Sequence, residues 1–222
     1  MKLFTIAMDL LFPRKCPFCT RILDDQQAPL CPACQPRLPW LTGAASVRKP
    51  EFVTQCVSPL FYRGRVVDSI HRYKFGCTPA YAYPYGILMA QCIQDHFQEP
   101  FDLITWVPLS RKRLRERGFD QAEKLARVVG KLLDTPVIPV LRKVRHTAQQ
   151  SLLTDPAARK ANALNAYEVL PGPDLAGKRV MLIDDVTTSG ATFSECARVL
   201  RMEGAESIFA GALAQAGTKN EN

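Results

Sequence analysis

Residues 180–192 read Val-Met-Leu-Ile-Asp-Asp-Val-Thr-Thr-Ser-Gly-Ala-Thr, and this stretch decides the fold class. Its first four residues are apolar, which predicts a strand buried in a parallel sheet. Asp184 and Asp185 follow at the carboxyl end of that strand, where open α/β sheets bind ligands. The next residues lead into a helix that is predicted to begin at Phe193. Their N–H groups and hydroxyls therefore converge at a helix N-terminus, a geometry that holds phosphate.

The side chains of residues 187–192 indicate the kind of ligand. Hydroxyls donate to phosphate oxygens, glycine lets the backbone approach closely, and the two aspartates suit sugar hydroxyls or a hydrated Mg²⁺. Together they predict a site for a phosphorylated sugar. The alternative is a solvated strand end followed by an ordinary helix cap, which leaves the run of hydroxyls unexplained. Residues 172–179 look like a nucleotide-binding P-loop, but Arg179 replaces the Ser or Thr and a strand follows, so we interpret them as a turn.

Outside this stretch, apolar strand patterns alternate with helical patterns along the chain. This alternation predicts an α/β fold with a parallel sheet and helices on both of its faces. The other predicted strands lie at residues 55–63, 103–107, 137–141 and 207–214. One predicted helix begins near Val66, and three others span residues 85–97, 122–132 and 193–203.

Four cysteines near the start of the chain form two Cys-x-x-Cys pairs, at Cys16, Cys19, Cys31 and Cys34. Two such pairs make a closed tetrahedral site, which predicts a structural zinc. A pair of disulfides is disfavoured in a reducing cytosol. A redox pair is disfavoured because two copies occur together without a thioredoxin-like strand and helix. The remaining cysteines are predicted to pack in the core: Cys56, Cys77, Cys92 and Cys196.

The composition changes along the chain and predicts three segments. Residues 1–45 hold an N-terminal helix and the double Cys-x-x-Cys zinc-binding domain, residues 46–55 form a linker, and residues 56–222 form the main α/β domain. We interpret the first residues as an amphipathic helix rather than a signal peptide, because Asp9 interrupts their apolar run. No stretch approaches the ~20 apolar residues of a membrane-spanning helix. We therefore expect a cytoplasmic protein without a transmembrane segment.

The net charge of +8 and the pI of 9.2 favour acidic partners, which include nucleic acid, polyphosphates and anionic membrane surfaces. The basic side chains cluster at residues 111–117, 142–146 and 159–160. A solvated basic face is the alternative to a binding surface. The aromatic side chains of residues 71–75 and 81–85 either stack on single-stranded bases or pack in the core.

Residues 180–192 are similar to the phosphoribosyl-diphosphate motif of type I phosphoribosyltransferases, and nearly the whole chain resembles the ComF/GntX family. In that family a small zinc domain precedes a phosphoribosyltransferase domain. Residues 107–122 resemble the family's diphosphate-side loop, and residues 147–167 resemble its mobile hood segment. Asp120 stands where the family pattern has Asn. The resemblance implies a type I phosphoribosyltransferase fold with an N-terminal four-cysteine zinc ribbon.

The same resemblance implies roles for individual residues. Asp184 and Asp185 become the catalytic pair, which engages ribose hydroxyls or the water molecules of a bound Mg²⁺. The implied ligand is phosphoribosyl diphosphate with magnesium. The implied substrate-binding residues are Val186, Thr187, Thr188, Ser189, Gly190, Ala191, Thr192, Ser110, Arg111 and Lys112.

The resemblance further implies a role in DNA uptake and natural transformation, alongside a competence DNA translocase or helicase. Three functions are compatible with it: transfer of ribose 5-phosphate, binding of single-stranded DNA through the inherited phosphate pocket, and regulation by the sugar diphosphate as an effector. The carboxylate pair favours the first and third, whereas the basic clusters favour the second. The predicted DNA-binding residues are Arg111, Lys112, Arg113, Arg115, Arg117, Arg142, Lys143 and Arg145.

Overall fold

The computed structural model describes residues 13–76, 78–144, 161 and 163–217. Its strands are β1 (Val47–Arg48), β2 (Gln55–Val57), β3 (Leu60–Phe61), β4 (Leu103–Trp106), β5 (Leu141–Lys143), β6 (Tyr167–Val169), β7 (Arg179–Thr187) and β8 (Ser207–Gln215). Its α-helices are α1 (Arg65–Phe75), α2 (Ala82–His96), α3 (Arg111–Arg117), α4 (Gln121–Leu132) and α5 (Ala191–Met202). Short 3₁₀ turns lie at Gln35–Arg37, Gly43–Ser46 and Pro79–Tyr81.

Six of the described strands form one sheet, with the order β1-β2-β8-β7-β4, and β3 also pairs with β8. Within this sheet the pairs β2–β8, β3–β8, β7–β8 and β4–β7 are parallel, and the edge pair β1–β2 is antiparallel. Strands β5 and β6 form a separate antiparallel pair. The α/β class and the mainly parallel sheet predicted from the sequence are therefore confirmed.

Strand β7 lies in the middle of the sheet, and its side chains alternate between two hydrophobic clusters. Met181 and Ile183 pack in the cluster that contains the apolar residues of α1, α2 and α4. Val180 and Leu182 pack in the cluster that contains those of α5. Helices thus cover both faces of the sheet, and for this reason the strand carries a continuous apolar run instead of an alternating one.

Two predicted element boundaries are wrong. At residues 137–141, Val137 makes an isolated parallel bridge to Ile104, and the regular strand β5 begins at Leu141. Pro139 between them has no N–H to donate to a ladder. Strand β7 continues past residue 183 because its pairing with β8 extends to Thr187. The two aspartates therefore lie inside the strand and not after it.

The N-terminal region packs directly on the α/β fold. Phe18 and Leu23 belong to the same hydrophobic cluster as Ile70 and Tyr85. The predicted linker contains β1, which adds an edge strand to the sheet. The division into three segments stays a prediction. The predicted N-terminal helix and Cys77 lie outside the described residues, whereas the other three core cysteines are buried, as expected: Cys56, Cys92 and Cys196.

Candidate functional site

The four cysteines of the double Cys-x-x-Cys motif meet at one point. Their sulfur atoms all lie within 4.8 Å of one another, and the Sγ atoms of Cys19 and Cys31 are 3.5 Å apart. Zinc–sulfur bonds of about 2.3 Å in a tetrahedron put neighbouring sulfurs about 3.8 Å apart. Cys16, Cys31 and Cys34 are buried. The cluster therefore fits a closed structural zinc that leaves no coordination position for a substrate.

Helix α1 connects this cluster to the rest of the molecule. Near the middle of the helix, the Ser69 hydroxyl and the Arg72 guanidinium both donate to the carbonyl oxygen of Pro17, which lies inside the first Cys-x-x-Cys turn. The Arg72 bond measures 2.8 Å. At the C-terminal end of the same helix, Lys74 reaches the Asp185 carboxylate of β7. One helix thus contacts both the cysteine cluster and the predicted ligand site.

A cavity of about 400 Å³ opens beside the carboxyl ends of β4 and β7. This is the edge of the sheet where the sequence predicted a ligand site, and the volume lies in the usual range for small-molecule sites. Its walls come from β7 and the loop after it, the loop before α3, the C-terminal part of α1, the start of α4, and the β5–β6 pair.

Asp184 and Asp185 both line this cavity. The Lys74 ammonium lies 2.7 Å from the Asp185 carboxylate, and both side chains are mostly buried. Burial and the adjacent Asp185 carboxyl raise the pKa of Asp184 to about 8. At neutral pH the Lys74 ammonium therefore balances the Asp185 carboxylate, and the raised pKa of Asp184 favours the protonated form of that carboxyl.

The end of β7 and the loop after it bring threonine hydroxyls to the N-terminus of α5. Thr187, Thr188 and Thr192 line the cavity together with Gly190, the N-cap residue of α5. Gly190 has a φ of +77°, and a Cβ at this position would lie 2.9 Å from Pro50. A glycine is required there on both counts. Val186 and Ala191 also line the cavity, whereas Ser189 is exposed and lies outside its lining.

Residues far away in the sequence hold this loop in place. Arg48, on edge strand β1, donates to the carbonyl oxygen of Thr188 at 2.8 Å. The predicted linker therefore contributes a contact to the loop that follows β7.

Three cations predicted to bind DNA line the same cavity: Arg113, Arg117 and Lys143. Lys143 donates to the Tyr167 hydroxyl at 3.1 Å. Burial and the nearby Arg113 guanidinium lower the pKa of Lys143 to about 8. An anion in the cavity would offset both effects and favour the charged lysine.

The residues predicted to face the diphosphate lie in a neighbouring cleft. Ser110, Arg111 and Lys112 line this cleft with Arg142 and Lys143. The Ser110 hydroxyl accepts from the backbone N–H of Arg113 at 3.4 Å and so caps α3. Pro108, Leu109 and Lys143 line both spaces, so the cleft and the cavity are neighbours.

Asp120 lines the cavity and holds the loop that borders both spaces. Its carboxylate accepts from the backbone N–H of Leu109 at 2.8 Å and from that of Glu123 at 3.2 Å. Burial raises the pKa of Asp120 to about 6. It thus caps α4 and fastens the loop before α3.

Sequence reasoning missed several residues of the cavity wall. Lys74 carried no sign of its role, since its partner lies far along the chain. Of the aromatic side chains in residues 71–75 and 81–85, Tyr73 and Tyr85 pack in the core and are fully buried. His71 and Phe75 line the cavity. Tyr62, Gln121 and Tyr167 also line it. The implied hood contacts at residues 147–152 and the predicted DNA contact at Arg145 lie outside the described residues.

Comparison with known proteins identifies both parts of the chain. The double zinc ribbon domain matches residues 7–46, and the phosphoribosyl transferase domain matches residues 114–222. The DNA utilization protein YhgH of Salmonella typhimurium is 31% identical over 205 residues, which cover 87% of this chain and 86% of that protein. This chain belongs to the YhgH family.

Two further proteins match over a smaller part of this YhgH-family chain. Competence protein F of Haemophilus influenzae is 35% identical over 112 residues, which span 50% of this chain and 48% of that protein. The glutamine phosphoribosylpyrophosphate amidotransferase of B. subtilis, solved with ADP and GMP, is 21% identical over 60% of this chain and 26% of its own, with a TM-score of 0.41.

These matches confirm the predicted resemblance, the four-cysteine zinc ribbon and the phosphoribosyltransferase-type domain of this YhgH-family protein. Among the helices of the described residues, none combines the length and the apolar character needed to cross a membrane.

Proposed function

We propose that this YhgH-family protein binds phosphoribosyl diphosphate, or a related ribose phosphate, together with Mg²⁺ in the cavity beside β7. The observation that carries the proposal is the meeting of an aspartate pair, Asp184 and Asp185, with a hydroxyl-rich helix N-terminus in one cavity. A site for phosphate alone has no use for two carboxylates, whereas a ribose phosphate uses both groups.

Each part of the cavity suits one part of such a ligand. The N–H groups and hydroxyls at Thr187, Thr188 and Thr192 would hold the 5′-phosphate at the positive end of α5. Asp184 and Asp185 would accept hydrogen bonds from the ribose hydroxyls. The Arg113 and Lys143 cations, which line the same cavity, would attract the diphosphate.

If the protein is an enzyme, it is a phosphoribosyltransferase. The bond between the sugar C1 and the diphosphate oxygen would break, the diphosphate would leave with the bonding electrons, and an acceptor nucleophile would bond to C1. Mg²⁺ bound with the diphosphate would supply charge neutralisation. The residues of this chain would position the sugar and stabilise the leaving charge, so that no covalent protein intermediate is needed.

The cellular role follows from the names of the relatives. Because Competence protein F and DNA utilization protein YhgH are named for competence and DNA use, we propose that this chain acts in the cytoplasm in DNA uptake and natural transformation. A competence DNA translocase or helicase is the corresponding protein partner.

A second candidate function is non-catalytic binding of single-stranded DNA. It is favoured by the cationic cleft lined by Arg111, Lys112, Arg142 and Lys143, which lies beside the cavity and shares Lys143 with its lining. A strand could place one phosphate in the cavity and the following phosphates along the cleft. Electrostatic contacts of this kind carry little sequence preference.

Calorimetric titration with phosphoribosyl diphosphate, with and without Mg²⁺, tests the first proposal. We expect binding that strengthens with Mg²⁺ and weakens about 10-fold or more in Asp185→Asn. Asp95→Asn, an exposed aspartate on α2, is the matched control and should bind like the wild type. Equal binding by wild type and Asp185→Asn would refute the role of the aspartate pair.

Release of diphosphate separates the functional alternatives. Release that depends on an added acceptor indicates transfer, whereas tight binding without release indicates an effector site. Binding of single-stranded DNA in the absence of any sugar phosphate binding would instead support the second candidate.

A further inference from the structure

A short segment of the chain holds the loop that follows β7 from outside the cavity. This segment, residues 48–52, starts in edge strand β1 and continues into the connection to β2. It begins just after the double zinc ribbon match, which ends at residue 46. All of residues 48–52 are described, and none of them lines the cavity. We call this segment the brace, because it contacts the loop and α5 without entering the ligand site.

The brace contacts the loop at two positions with matched spacing. Arg48 donates to the carbonyl oxygen of Thr188 at 2.8 Å, across 140 residues of sequence. Two residues later, Pro50 lies so close to Gly190 that a Cβ on the glycine would be 2.9 Å from the proline ring. Residues 48 and 50 thus contact residues 188 and 190 in the same order, and the loop is held at both positions.

A third contact joins the brace to the far end of α5. The carbonyl oxygen of Phe52 accepts from Arg201 Nε at 2.9 Å, and Arg201 lies in the last turn of that helix. Phe52 has a φ of +65°, which bulky side chains rarely adopt and which persists only where surrounding contacts hold it. The brace therefore contacts α5 near both of its ends, and it ties the helix and the loop together.

The Arg48 contact fixes the direction of one peptide group. In a planar trans peptide, the carbonyl oxygen and the N–H of the next residue point in opposite directions. Arg48 holds the Thr188 oxygen from outside the cavity lining, so the Ser189 N–H points to the other side. The residues before and after Ser189, Thr188 and Gly190, both line the cavity. Among the described residues, none accepts a hydrogen bond from the Ser189 N–H.

The direction of this peptide matters for an anion. An N–H group at a helix N-terminus attracts phosphate, whereas a carbonyl oxygen carries partial negative charge and repels it. Without a donor at Arg48, the peptide between Thr188 and Ser189 can rotate and turn its oxygen towards the anion. A peptide that is already held in the binding orientation needs no reorganisation when the ligand arrives.

We propose that Arg48 is a positioning residue of the phosphate site, and that it acts by directing the Ser189 N–H towards the phosphate of a bound sugar phosphate. This inference rests on the proposed sugar-phosphate site and adds to it a side chain that does not touch the ligand. The segment that follows the zinc ribbon thereby contributes to ligand affinity.

Calorimetric titration with ribose 5-phosphate measures the contribution of Arg48 to affinity. Arg48→Met keeps an unbranched side chain but removes the donor. We expect it to bind about 10-fold more weakly, as the loss of a hydrogen bond from a charged group commonly gives. Arg48→Lys keeps a charged donor and should recover most of this loss, and an equal loss in Arg48→Lys would contradict the donor role. The matched control is Lys49→Met, which removes the charge of the adjacent exposed residue and should bind like the wild type.

Amide signals separate a positioning role from a general loss of stability. In the ¹⁵N-labelled wild type, saturating ribose 5-phosphate should move the Ser189 amide proton downfield, because a proton donated to a phosphate oxygen is deshielded. In Arg48→Met this shift should be absent at saturation, since the peptide no longer directs its N–H to the phosphate. A variant that is only less stable would reach the wild-type shift at a higher ligand concentration. Arg48→Lys should keep the shift.

Three outcomes would overturn the role of Arg48 while leaving the sugar-phosphate site intact. The wild type binds ribose 5-phosphate without moving the Ser189 amide, Arg48→Met reaches the wild-type shift at saturation, or Arg48→Met binds as tightly as the wild type. The first outcome needs no variant, so it decides the proposal even if Arg48→Met does not fold. If neither ribose 5-phosphate nor phosphoribosyl diphosphate binds the wild type, the sugar-phosphate site itself is wrong and the role of Arg48 is overturned with it.

Discussion

Lys74 at the end of α1 and Asp185 in β7 form an ion pair of 2.7 Å inside the candidate site. The lysine balances one carboxylate of the pair and, through its charge, also lowers the pKa of Asp184 against the larger opposing effects of burial and Asp185. It therefore decides how much negative charge a phosphate ligand meets in the cavity.

Lys74→Met should weaken binding of ribose 5-phosphate or phosphoribosyl diphosphate by about 10-fold. One unit charge several ångströms from a phosphate, in a partly hydrated site, contributes on the order of 1–2 kcal/mol. Calorimetric titration measures the loss. Lys131→Met, an exposed lysine in the last turn of α4, should bind like the wild type. Unchanged affinity in Lys74→Met would show that the ion pair has no part in binding.

The affinity ratio between wild type and Asp184→Asn should increase with pH. The pKa of Asp184 is raised to about 8, so the carboxyl is largely protonated at pH 7 and largely ionised at pH 9. The ionised form is the better acceptor for ribose hydroxyls, and the advantage over Asn therefore grows through this range. Titrations at pH 7, 8 and 9 and constant ionic strength measure it.

The ratio is needed because the pKa of Lys143 is lowered to about 8 and this lysine lines the same cavity. Its loss of charge weakens phosphate binding over the same pH range in both proteins. The Asp184 carboxylate raises the pKa of Lys143, so in Asp184→Asn the lysine loses its charge at lower pH, and this change also makes the ratio increase with pH. A ratio that stays constant from pH 7 to pH 9 would contradict the assignment of Asp184 to the sugar.

Contacts between α1 and the zinc ribbon should affect the ligand site. Arg72→Met removes the donor to the Pro17 and Phe18 carbonyls, and hydrogen bonds to charged groups contribute about 1.5–3 kcal/mol. We expect lower stability and several-fold weaker sugar-phosphate binding while the protein still holds one zinc per chain. Urea unfolding, titration and elemental analysis measure the three quantities. Arg127→Met, which breaks an exposed pair with Glu123 on α4, should leave the ligand affinity unchanged.

Single-stranded DNA should bind with an affinity that falls steeply with salt. On single strands the log-log salt slope is about −0.7 per phosphate contacted. Arg111→Ala, in the cleft, should reduce the slope by about that amount and spare sugar-phosphate binding. Arg113→Ala, in the cavity, should weaken the binding of both single-stranded DNA and the sugar phosphate. Fluorescence anisotropy at 50 to 300 mM salt measures the DNA affinity and its salt slope. Equal slopes in wild type and Arg111→Ala would show that DNA does not contact the cleft.

Asp120→Asn should change how stability depends on pH. Burial raises the pKa of Asp120 to about 6 in the folded protein, above its ordinary value of 3.8. The folded state therefore holds this proton more tightly than the unfolded state, and the carboxylate lowers stability as the pH rises from about 4 to 6. The variant lacks this loss, which is of the order of 2 kcal/mol.

Urea unfolding at pH 4.5 and pH 7 measures this effect. The free energy of unfolding of Asp120→Asn minus that of the wild type should be larger at pH 7 than at pH 4.5, which means that the variant gains stability relative to the wild type as the pH rises. Asn has one acceptor oxygen, so in the variant one of the two backbone N–H groups that donate to Asp120 loses its acceptor. The variant bears this cost at both pH values, so the cost does not affect the comparison between them. A difference that is the same at both pH values would contradict the raised pKa.

Local sequence was sufficient where the functional groups are close in the chain. The four cysteines lie in two turns of fixed spacing, and the phosphate loop lies between one strand and the helix that follows it. Steric rules and hydrogen bonding within such short segments fix the geometry, so local spacing predicted that the four cysteines meet and that the loop after β7 leads into a helix N-terminus.

Element boundaries needed the partner strands. β7 extends to Thr187 because β8 pairs with it up to Gln215, and β5 begins after Pro139 because β6 pairs with it from Tyr167 to Val169. A strand ends where its ladder ends, and the ladder depends on a second segment that the local pattern does not identify.

Sequence was enough to predict the α/β class, the zinc ribbon, the adjacent aspartates and the hydroxyl-rich loop after β7, because each depends on periodicity or spacing over a few residues. Only the tertiary structure decided that Lys74 balances Asp185, that Arg113 and Lys143 enter the cavity while Arg111 and Lys112 line the cleft, and that Phe75 stays exposed at the site while Tyr73 is buried. Charge and exposure act through space, and the neighbours that set them come from segments far apart along the chain.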